Sequence, residues 1–559
     1  MLPSDLNLPA KFDKWRPGQD DAAIDAACVL SSGARFYVSS QPTGAGKSAF
    51  YFAVARLLDA KRVLILTASK ALQQQLSADF ASIGLTDIRG QNNYACIAVA
   101  PPTGFPDGTG GLFGMAPANA RCDEGPCHAG VECELRANGC LYFDQVRRAL
   151  NAQFVVTNYD YWMYSNRYGE QPIGEFDLLI CDEAHDAPDR LADFCSIYIG
   201  ARELDDLLGQ TLPPLDAGLD FWTEWAKDCH LRAKDYLEEA KLERSSVRHI
   251  RELRNLVSKL DDLSKAREWR RGNPSDPNVW VPGESSDWVA EESSTGVTFA
   301  PIWAHGYAED FLFTHIPKVL LTSATIVPKT VSYLGLVPTD FTFNERPSSF
   351  PVARRPIYIL NYARKVNATM SRGEELVWMN QIDNILATRL DRKAIIHAVS
   401  YSRAKFIFEN SRFRQYMVVH DPRNIHSQVD RFRRMGAPAI LVSPTVREGW
   451  DFPYDQCELQ IIAKIPFVDT RPAVIQARHR ADKEYLNYSA LMSLIQSAGR
   501  GMRAADDFCE TFIIDDNIRW LIQSMSKQIP KWFRAAIRRV DTTPPATKIV
   551  KRLTASTAK

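Results

Sequence analysis

Gln41-Pro42-Thr43-Gly44-Ala45-Gly46-Lys47-Ser48 is the stretch from which the rest of the chain is read. Before it stands Phe36-Tyr37-Val38, a short β-branched and aromatic run. After it Phe50, Val54, Leu57 and Leu58 recur at helical spacing. The pattern predicts a strand, a glycine-rich loop and a helix. In that context successive backbone N–H groups can turn toward the β- and γ-phosphates of a nucleotide, and the helix starting at Lys47 presents its positive end to them. Lys47 adds a full charge and Ser48 is placed to ligate Mg²⁺. Thr43, Gly44, Ala45, Gly46, Lys47 and Ser48 are therefore the expected nucleotide contacts. A turn with an incidental lysine would not need these flanks.

Composition sets the frame. A chain of 559 residues has room for two to four domains with substantial cores. No run approaches the roughly 18 uninterrupted apolar residues of a membrane span, and Met1 to Trp15 lacks a signal-peptide core. A cytoplasmic protein without membrane contact is expected. Lys plus Arg and Asp plus Glu both total 67, so a nucleic-acid surface has to be a local groove. Of 11 cysteines, Cys28, Cys181, Cys195, Cys229, Cys457 and Cys509 are scattered among apolar neighbours and read as core residues.

Around the loop lie further elements of an α/β unit. Arg16-Pro17-Gly18-Gln19 is a turn into a helix, and the Gln19 amide has the donor and acceptor to read an adenine edge. Arg62 to Leu66 is a buried parallel-strand pattern that ends in Thr67-Ala68-Ser69-Lys70. Its hydroxyls suit either phosphodiester contact or simple helix capping by Ser69. Phe154 to Tyr159 is another such strand. Phe176 to Cys181 delivers Asp182-Glu183-Ala184-His185 to a strand's carboxyl end. There Asp182 would stand beside the Mg²⁺ of the nucleotide, with Glu183 able to orient or deprotonate the attacking water. Lys318 to Leu321 leads similarly into Thr322-Ser323-Ala324-Thr325, which can couple nucleotide state to domain closure.

Cys96, Cys122, Cys127, Cys133 and Cys140 are spaced x25, x4, x5 and x6 in a Gly/Pro-rich stretch with little periodicity. Such a segment has few apolar means of folding itself, and a metal would be its core. Four thiolates suit tetrahedral zinc or a [4Fe-4S] cluster.

From about Phe194 to Trp303 the pattern changes. Trp222, Trp225, Cys229, Tyr236 and Ala240 form one helical stripe; Ile250, Leu253, Val257, Leu260 and Leu263 form another. They predict an inserted helical hairpin, followed by a stretch in which Trp280 and Trp288 cover a small core rather than stack on bases. A second α/β unit begins near Gly335, with strands at Ala394 to Val399, Ala439 to Val442 and Leu459 to Ala463. The second of these ends in Pro444-Thr445-Val446-Arg447-Glu448-Gly449-Trp450-Asp451, and Asp451 is a further expected nucleotide contact. Gln496, Arg500 and Arg503 recur at helical spacing and would share a face that reaches across a cleft as phosphate sensors. The chain ends in a basic stretch, expected to be flexible beyond about Thr542.

The ordered set resembles superfamily-two helicases of the XPD/DinG type. It consists of Arg-Pro-Gly-Gln at 16–19, Pro-Thr-Gly-Ala-Gly-Lys-Ser at 42–48, Asn-Tyr-Ala-Cys at 93–96, Cys-Leu-Tyr-Phe at 140–143 before Val-Val-Thr-Asn-Tyr at 155–159, Asp-Glu-Ala-His at 182–185, Thr-Ser-Ala-Thr at 322–325 and Gln-x-x-Gly-Arg-x-x-Arg at 496–503. Gln41 replaces the first glycine of the common phosphate-loop pattern, as in helicase loops that begin at Pro-Thr-Gly. The resemblance implies an α/β protein with two RecA-like parallel-sheet motor domains and ATP and Mg²⁺ between them. A Cys-rich metal domain and a helical arch would be inserted in the first. The expected boundaries are 1–90, 142–195 and 304–334 for motor one, 91–141 for the iron-sulfur domain, 196–303 for the arch, 335–541 for motor two and 542–559 for the tail.

The resemblance also implies that the metal is a [4Fe-4S] cluster in preference to zinc. Matching the family's four cysteines backward from Cys140 selects Cys96, Cys127, Cys133 and Cys140 and leaves Cys122 over. A monomeric motor moving 5′ to 3′ on single-stranded DNA and opening forked or tailed duplexes is the function implied. Arg16 and Gln19 would contact the base. The rival readings are an RNA or RNA-DNA hybrid remodelling ATPase, marked by hydrolysis that RNA stimulates as well as DNA, and a non-catalytic DNA-binding accessory, which turnover-deficient variants would distinguish.

Overall fold

The computed structural model describes residues 1–98, 120–128, 130–167, 172–243, 245–266, 288–446, 450, 452–502, 504 and 506–547. Asp451, Arg503 and Trp280, most of the loop between Ile97 and Arg121, and the basic residues after 547 lie outside them. The chain divides into two compact units. One comprises Met1–Ser39, Ser48–Asn344 and Asp469–Asp482; the other comprises Ser40–Lys47, Glu345–Val468 and Lys483–Lys559.

The first unit is built on a seven-stranded sheet whose order is Phe341–Glu345, Phe36–Ser40, Lys318–Ser323, Leu178–Asp182, Val63–Thr67, Phe154–Asn158 and Thr86–Asp87. Val63–Thr67 runs parallel to both Phe154–Asn158 and Leu178–Asp182. Those strands are short apolar runs buried on both faces, which is what a sheet covered by helices on either side requires. One consequence matters for function. Lys318–Ser323 sits between the strand that leads into the phosphate loop and the strand that ends in Asp182, and its Thr322 pairs with Asp182. Loops at the carboxyl ends of neighbouring parallel strands are where α/β folds place their ligands.

The expected insertion is a hairpin of helices Gly218–Leu242 and Val247–Ser264. Trp222, Cys229 and Ala240 are buried on the first helix, as the stripe predicts, but Tyr236 is exposed and Ala233 and Leu237 point inward instead. A straight helix turns 3.6 residues per turn, so a stripe read over five turns drifts off the buried face. The hairpin is joined by a three-stranded antiparallel sheet of Ile197–Gly200, Gly296–Pro301 and Trp288–Ser293. Trp288 belongs to that sheet and is buried in its core. Helix Ala473–Ala481 packs in this first unit: Arg478 bonds Asp189 Oδ1 at 3.1 Å and the Ile302 carbonyl at 2.8 Å.

The second unit carries its own seven-stranded parallel sheet, ordered Met417–Val419, Ala439–Ser443, Lys393–His397, Leu459–Ile462, Glu510–Asp515, Ile357–Arg364 and Ile537–Val540. Inside it Arg389 and Arg392 both clasp Glu510, at 2.7 and 3.0 Å. The same two guanidiniums donate to the carbonyls of Pro544 and Thr547, each at 2.9 Å. The segment after Thr542 is therefore tied to the sheet as far as Thr547, in place of the flexible start expected there. Of the scattered cysteines, Cys181, Cys195, Cys229, Cys457 and Cys509 are buried as expected, whereas Cys28 is exposed on its helix. Among the described residues no helix is long and apolar enough to cross a membrane.

Candidate functional site

In the first unit the acidic tetrapeptide and the hydroxyl-rich strand end converge. Asp182 is the last residue of its strand and is nearly fully buried. Its Oδ1 accepts the N–H of Glu183 at 3.0 Å. Glu183 then takes a left-handed conformation (φ 50°), which turns its partly exposed carboxylate out of the strand direction. Ser323 Oγ donates to Glu183 Oε2 at 3.1 Å and lies 2.6 Å from Nδ1 of His185. The other ring nitrogen of His185 meets Asp186 Oδ1 at 2.9 Å.

The charges in this cluster support one another. Burial works against a charged His185, but Asp186 and Glu183 outweigh it and bring the ring up to about 10. Burial likewise pushes Asp186 up, and His185 and Arg190 more than offset this, so its carboxyl stays below the usual range. Arg190 also donates to the carbonyl of Ala68 at 2.8 Å, and the Tyr159 hydroxyl donates to the carbonyl of Asp182 at 3.0 Å. Tyr51, on the helix that follows the phosphate loop, is fully buried. Burial first, then Asp182 and Glu183, hold its hydroxyl well above its ordinary value.

The sequence does not mark Asp186, Arg190 or Tyr51 as site residues, and Tyr159 stands in it only as the end of a strand motif. Asp186 and Arg190 form an i,i+4 acid-base pair that is visible in the sequence. Tyr51 reads as an ordinary core aromatic, since nothing local marks its proximity to carboxylates 131 and 132 positions later.

Upstream, Gln19 Oε1 accepts the N–H of Arg16 at 2.9 Å, so the amide closes the turn that starts its helix. Ser69 caps the next helix by accepting from Leu72 N at 3.2 Å. Gln73 is buried, with its amide bound to the carbonyl of Ile88 at 2.8 Å. The capping alternative for Ser69 is thus the one realised.

The phosphate loop has the conformation its glycines allow. Gly44 and Gly46 have φ of 79° and 82°, and the helix starts at Lys47. A Cβ on Gly44 would lie 1.9 Å from the ring of Phe350, a member of the same unit, so only glycine fits there. A Cβ on Gly499 would meet Thr43 Oγ1 at 3.4 Å. The helix bearing Gln496 is Tyr485–Ala498, and a 3-10 turn follows over Gly499–Gly501. Arg500 therefore leaves the helical register that would have aligned it with Gln496, because the glycines on either side of it favour a tight turn. Its Nη1 donates to the carbonyl of Trp450 at 3.3 Å.

All five clustered cysteines line one small pocket in the first unit, with Leu135, Tyr142 and Phe143 among its walls. Cys122 is in hydrogen-bonding contact with Cys96 and with Cys140, and Cys127 with Cys133. A Cβ on Gly125 would come within 2.6 Å of Cys96 Sγ, so the backbone there is pressed onto a sulfur. The Cys96 contact, then burial, pushes the Cys122 thiol well up. Burial, then Cys133, takes Cys127 up to about 12. Packed in this way the Cys122 and Cys127 thiols resist ionising, and a bound cationic group would reverse that. Among the described residues no group of three or more His, Cys, Asp or Glu side chains is arranged to hold a single metal ion. The thiol-rich, largely apolar pocket fits a larger thiolate-held group. The inserted hairpin braces this segment: Arg254 donates to the carbonyl of His128 at 2.9 Å and Arg251 to that of Asp123 at 3.5 Å.

Residues 385–536 match the helicase C-terminal domain family model, and residues 13–202 match that of the type III restriction enzyme res subunit. Among solved structures, one titled as an XPD helicase aligns with 94% of this chain and 100% of its own, at 14% identity and a TM-score of 0.59. The chain has the XPD-like helicase fold. An apo XPD covers 93% of it at 12% identity and a TM-score of 0.55, and Xpd4 of S. tokodaii covers 94% at 12% and 0.54; both are matched over their full length. No curated protein matches the chain by sequence. The two parallel-sheet units, the likeness in fold to XPD helicases and the two family matches support a helicase-type ATPase.

Proposed function

We propose that the chain is an ATP-dependent DNA helicase that moves 5′ to 3′ on single-stranded DNA and opens tailed or forked duplexes. The observation that carries this reading is the Ser323 hydroxyl bridging Glu183 and His185 at the ends of two adjacent strands. A carboxylate held in that way can orient a water against a phosphoryl group and transmit its state to the neighbouring strand.

In this reading Lys47, Ser48 and Asp182 hold the nucleotide with its Mg²⁺, and the loop N–H groups of Thr43 to Gly46 cradle the phosphates. Arg16 and Gln19 contact the base, and Asp451 contributes from the second motor. Mg²⁺, when bound, neutralises charge on the phosphate oxygens. Glu183 orients or deprotonates the water, while Gln496, Arg500 and Arg503 sense and stabilise the transferring phosphate. Cys96, Cys127, Cys133 and Cys140 hold a [4Fe-4S] cluster with a structural role, locking the turns of a segment that has little apolar core of its own. DNA as the strand and 5′ to 3′ as the direction rest on the likeness to XPD and DinG helicases.

The test is strand displacement with Mg²⁺ and ATP on duplexes carrying either a 5′ or a 3′ single-stranded tail, using protein purified without oxygen. Opening of the 5′-tailed duplex alone is expected. Opening of the 3′-tailed duplex alone overturns the polarity. Hydrolysis stimulated equally by RNA and DNA overturns the substrate.

A further inference from the structure

Two cations meet at the carboxyl edge of the second unit's sheet, where the nearby carboxylates are already engaged. Strands Lys393–His397 and Leu459–Ile462 run side by side in parallel. The first leads through Ser400 into helix Tyr401–Asn410, which carries Arg403 in its first turn; the second leads directly to Ala463 and Lys464. A closed ring of contacts holds the two cations in one place. Arg403 Nη2 donates to the carbonyl of Asn367 at 2.7 Å, and its guanidinium lies 5.6 Å over the ring of Trp378. The indole N–H of Trp378 donates to the carbonyl of Ala463 at 2.9 Å. Opposite, Asp515 accepts the N–H of Val366 at 3.1 Å and that of Ile465 at 2.9 Å, so chain neighbours of Asn367 and of Lys464 are bound to one carboxylate.

The carboxylates that act on this pair are Asp515 and Glu375. Asp515 is buried, and its oxygens take the N–H groups of Val366 and Ile465 together with the backbone and side-chain N–H of Asn517. Glu375 pairs with Arg372 at 3.5 Å. Among the described residues half-buried Lys464 has neither a hydrogen bond nor an ion pair. Burial, then Arg403, pushes its ammonium below the ordinary value, and burial does the same to Arg403. An anion bound between them would reverse both effects. The chain has no net charge, so a strand must be held at local sites of this kind.

We propose that Lys464 and Arg403 form a phosphate site on the second unit that holds one phosphodiester of the nucleic-acid strand. This rests on the helicase reading above and adds to it two residues that lie outside the motifs carrying that reading.

The test uses the full chain and a fluorescent oligothymidylate, with affinity read by anisotropy across a salt series. Lys464→Gln is expected to bind about tenfold more weakly at low salt, and to lower the slope of log affinity against log salt by about 0.7, the loss of one phosphate contact on a single strand. Lys464→Arg is expected to keep the wild-type slope, and far-UV circular dichroism melting confirms that both variants are folded. A second measurement needs no variant: acetylation of wild-type Lys464, read by mass spectrometry, is expected to be blocked by the strand and not by ATP or inorganic phosphate. An unchanged slope in Lys464→Gln, or acetylation that the strand does not block, would overturn the proposal. Protection by ATP in place of the strand would assign the phosphate to the nucleotide and overturn it equally. If the wild type itself binds no strand, the helicase reading fails along with the proposal, an outcome distinct from these because it appears before any variant is compared.

Discussion

The Oγ of Ser323 lies 2.6 Å from Nδ1 of His185, and this contact joins the ends of two neighbouring parallel strands. With the ring protonated, Nδ1–H donates to the serine, whose own hydroxyl is then free to donate to Glu183. The chain of donors runs one way, from imidazolium to hydroxyl to carboxylate. Each member has its direction set by the one before it.

Ser323→Ala breaks that chain while leaving Asp182 and the phosphate loop intact. Hydrogen bonds to charged groups are worth about 1.5–3 kcal/mol, so the turnover of strand-stimulated ATP hydrolysis should fall by roughly tenfold to a hundredfold. Nucleotide affinity should change little. Steady-state hydrolysis beside equilibrium binding of a fluorescent nucleotide separates the two. Equal losses in both would show that Ser323 acts on ground-state binding.

His185 gives the fold a pH dependence. Its ring is raised from an ordinary value near 6.5 to about 10. A group raised on folding contributes its full stabilisation below its unfolded value and loses it as pH climbs through the folded one. The His185 contribution should therefore be complete below about pH 6.5 and gone above about pH 10. Melting temperatures of wild type and His185→Ala measured across that window should converge as pH rises. A constant difference at every pH would assign the effect to packing alone.

Lys47→Ala and Glu183→Gln should fail in different ways. On the proposed reading the first removes the charge that meets phosphate and should weaken nucleotide binding. The second keeps the shape of the side chain but not its basicity, and should bind nucleotide normally while hydrolysis drops about 10²–10⁴-fold. Duplex opening should vanish in both. An accessory protein that needs no turnover would retain its DNA-bound function in both variants.

Glu510 is shared by the buried guanidiniums of Arg389 and Arg392, and Arg392 also pairs with Asp391. Glu510→Ala leaves buried Arg389 without a carboxylate and Arg392 with Asp391 alone, and should cost about 3–5 kcal/mol in the second unit. Truncation after Asp541 removes the Pro544 and Thr547 carbonyls that the same arginines bind, and should lower that unit's melting transition by a smaller amount. Calorimetry of the full chain reads both changes. A wild-type transition in Glu510→Ala would show that water or another acceptor replaces the carboxylate.

Much of this protein is written in short contiguous stretches. The phosphate loop between Val38 and Phe50, the strand delivering Asp182 and Glu183, and the alternation of apolar runs with helical stripes all follow from local periodicity and turn chemistry. That is why the two α/β units and the inserted hairpin are legible residue by residue. Folding decided the relationships between stretches that are distant in sequence. Ser323 meets His185 across 138 positions. Tyr51 is buried near Asp182 and Glu183. Arg389 and Arg392 reach forward to anchor the segment ending at Thr547. Cys122, one sulfur too many by counting, lines the same pocket as the other four, beside a bridge whose two sides lie 26 residues apart. Local sequence specifies dihedral preferences and which face is apolar. Which strand becomes whose neighbour is settled by packing the whole sheet at once, and that pairing brings the reactive side chains together.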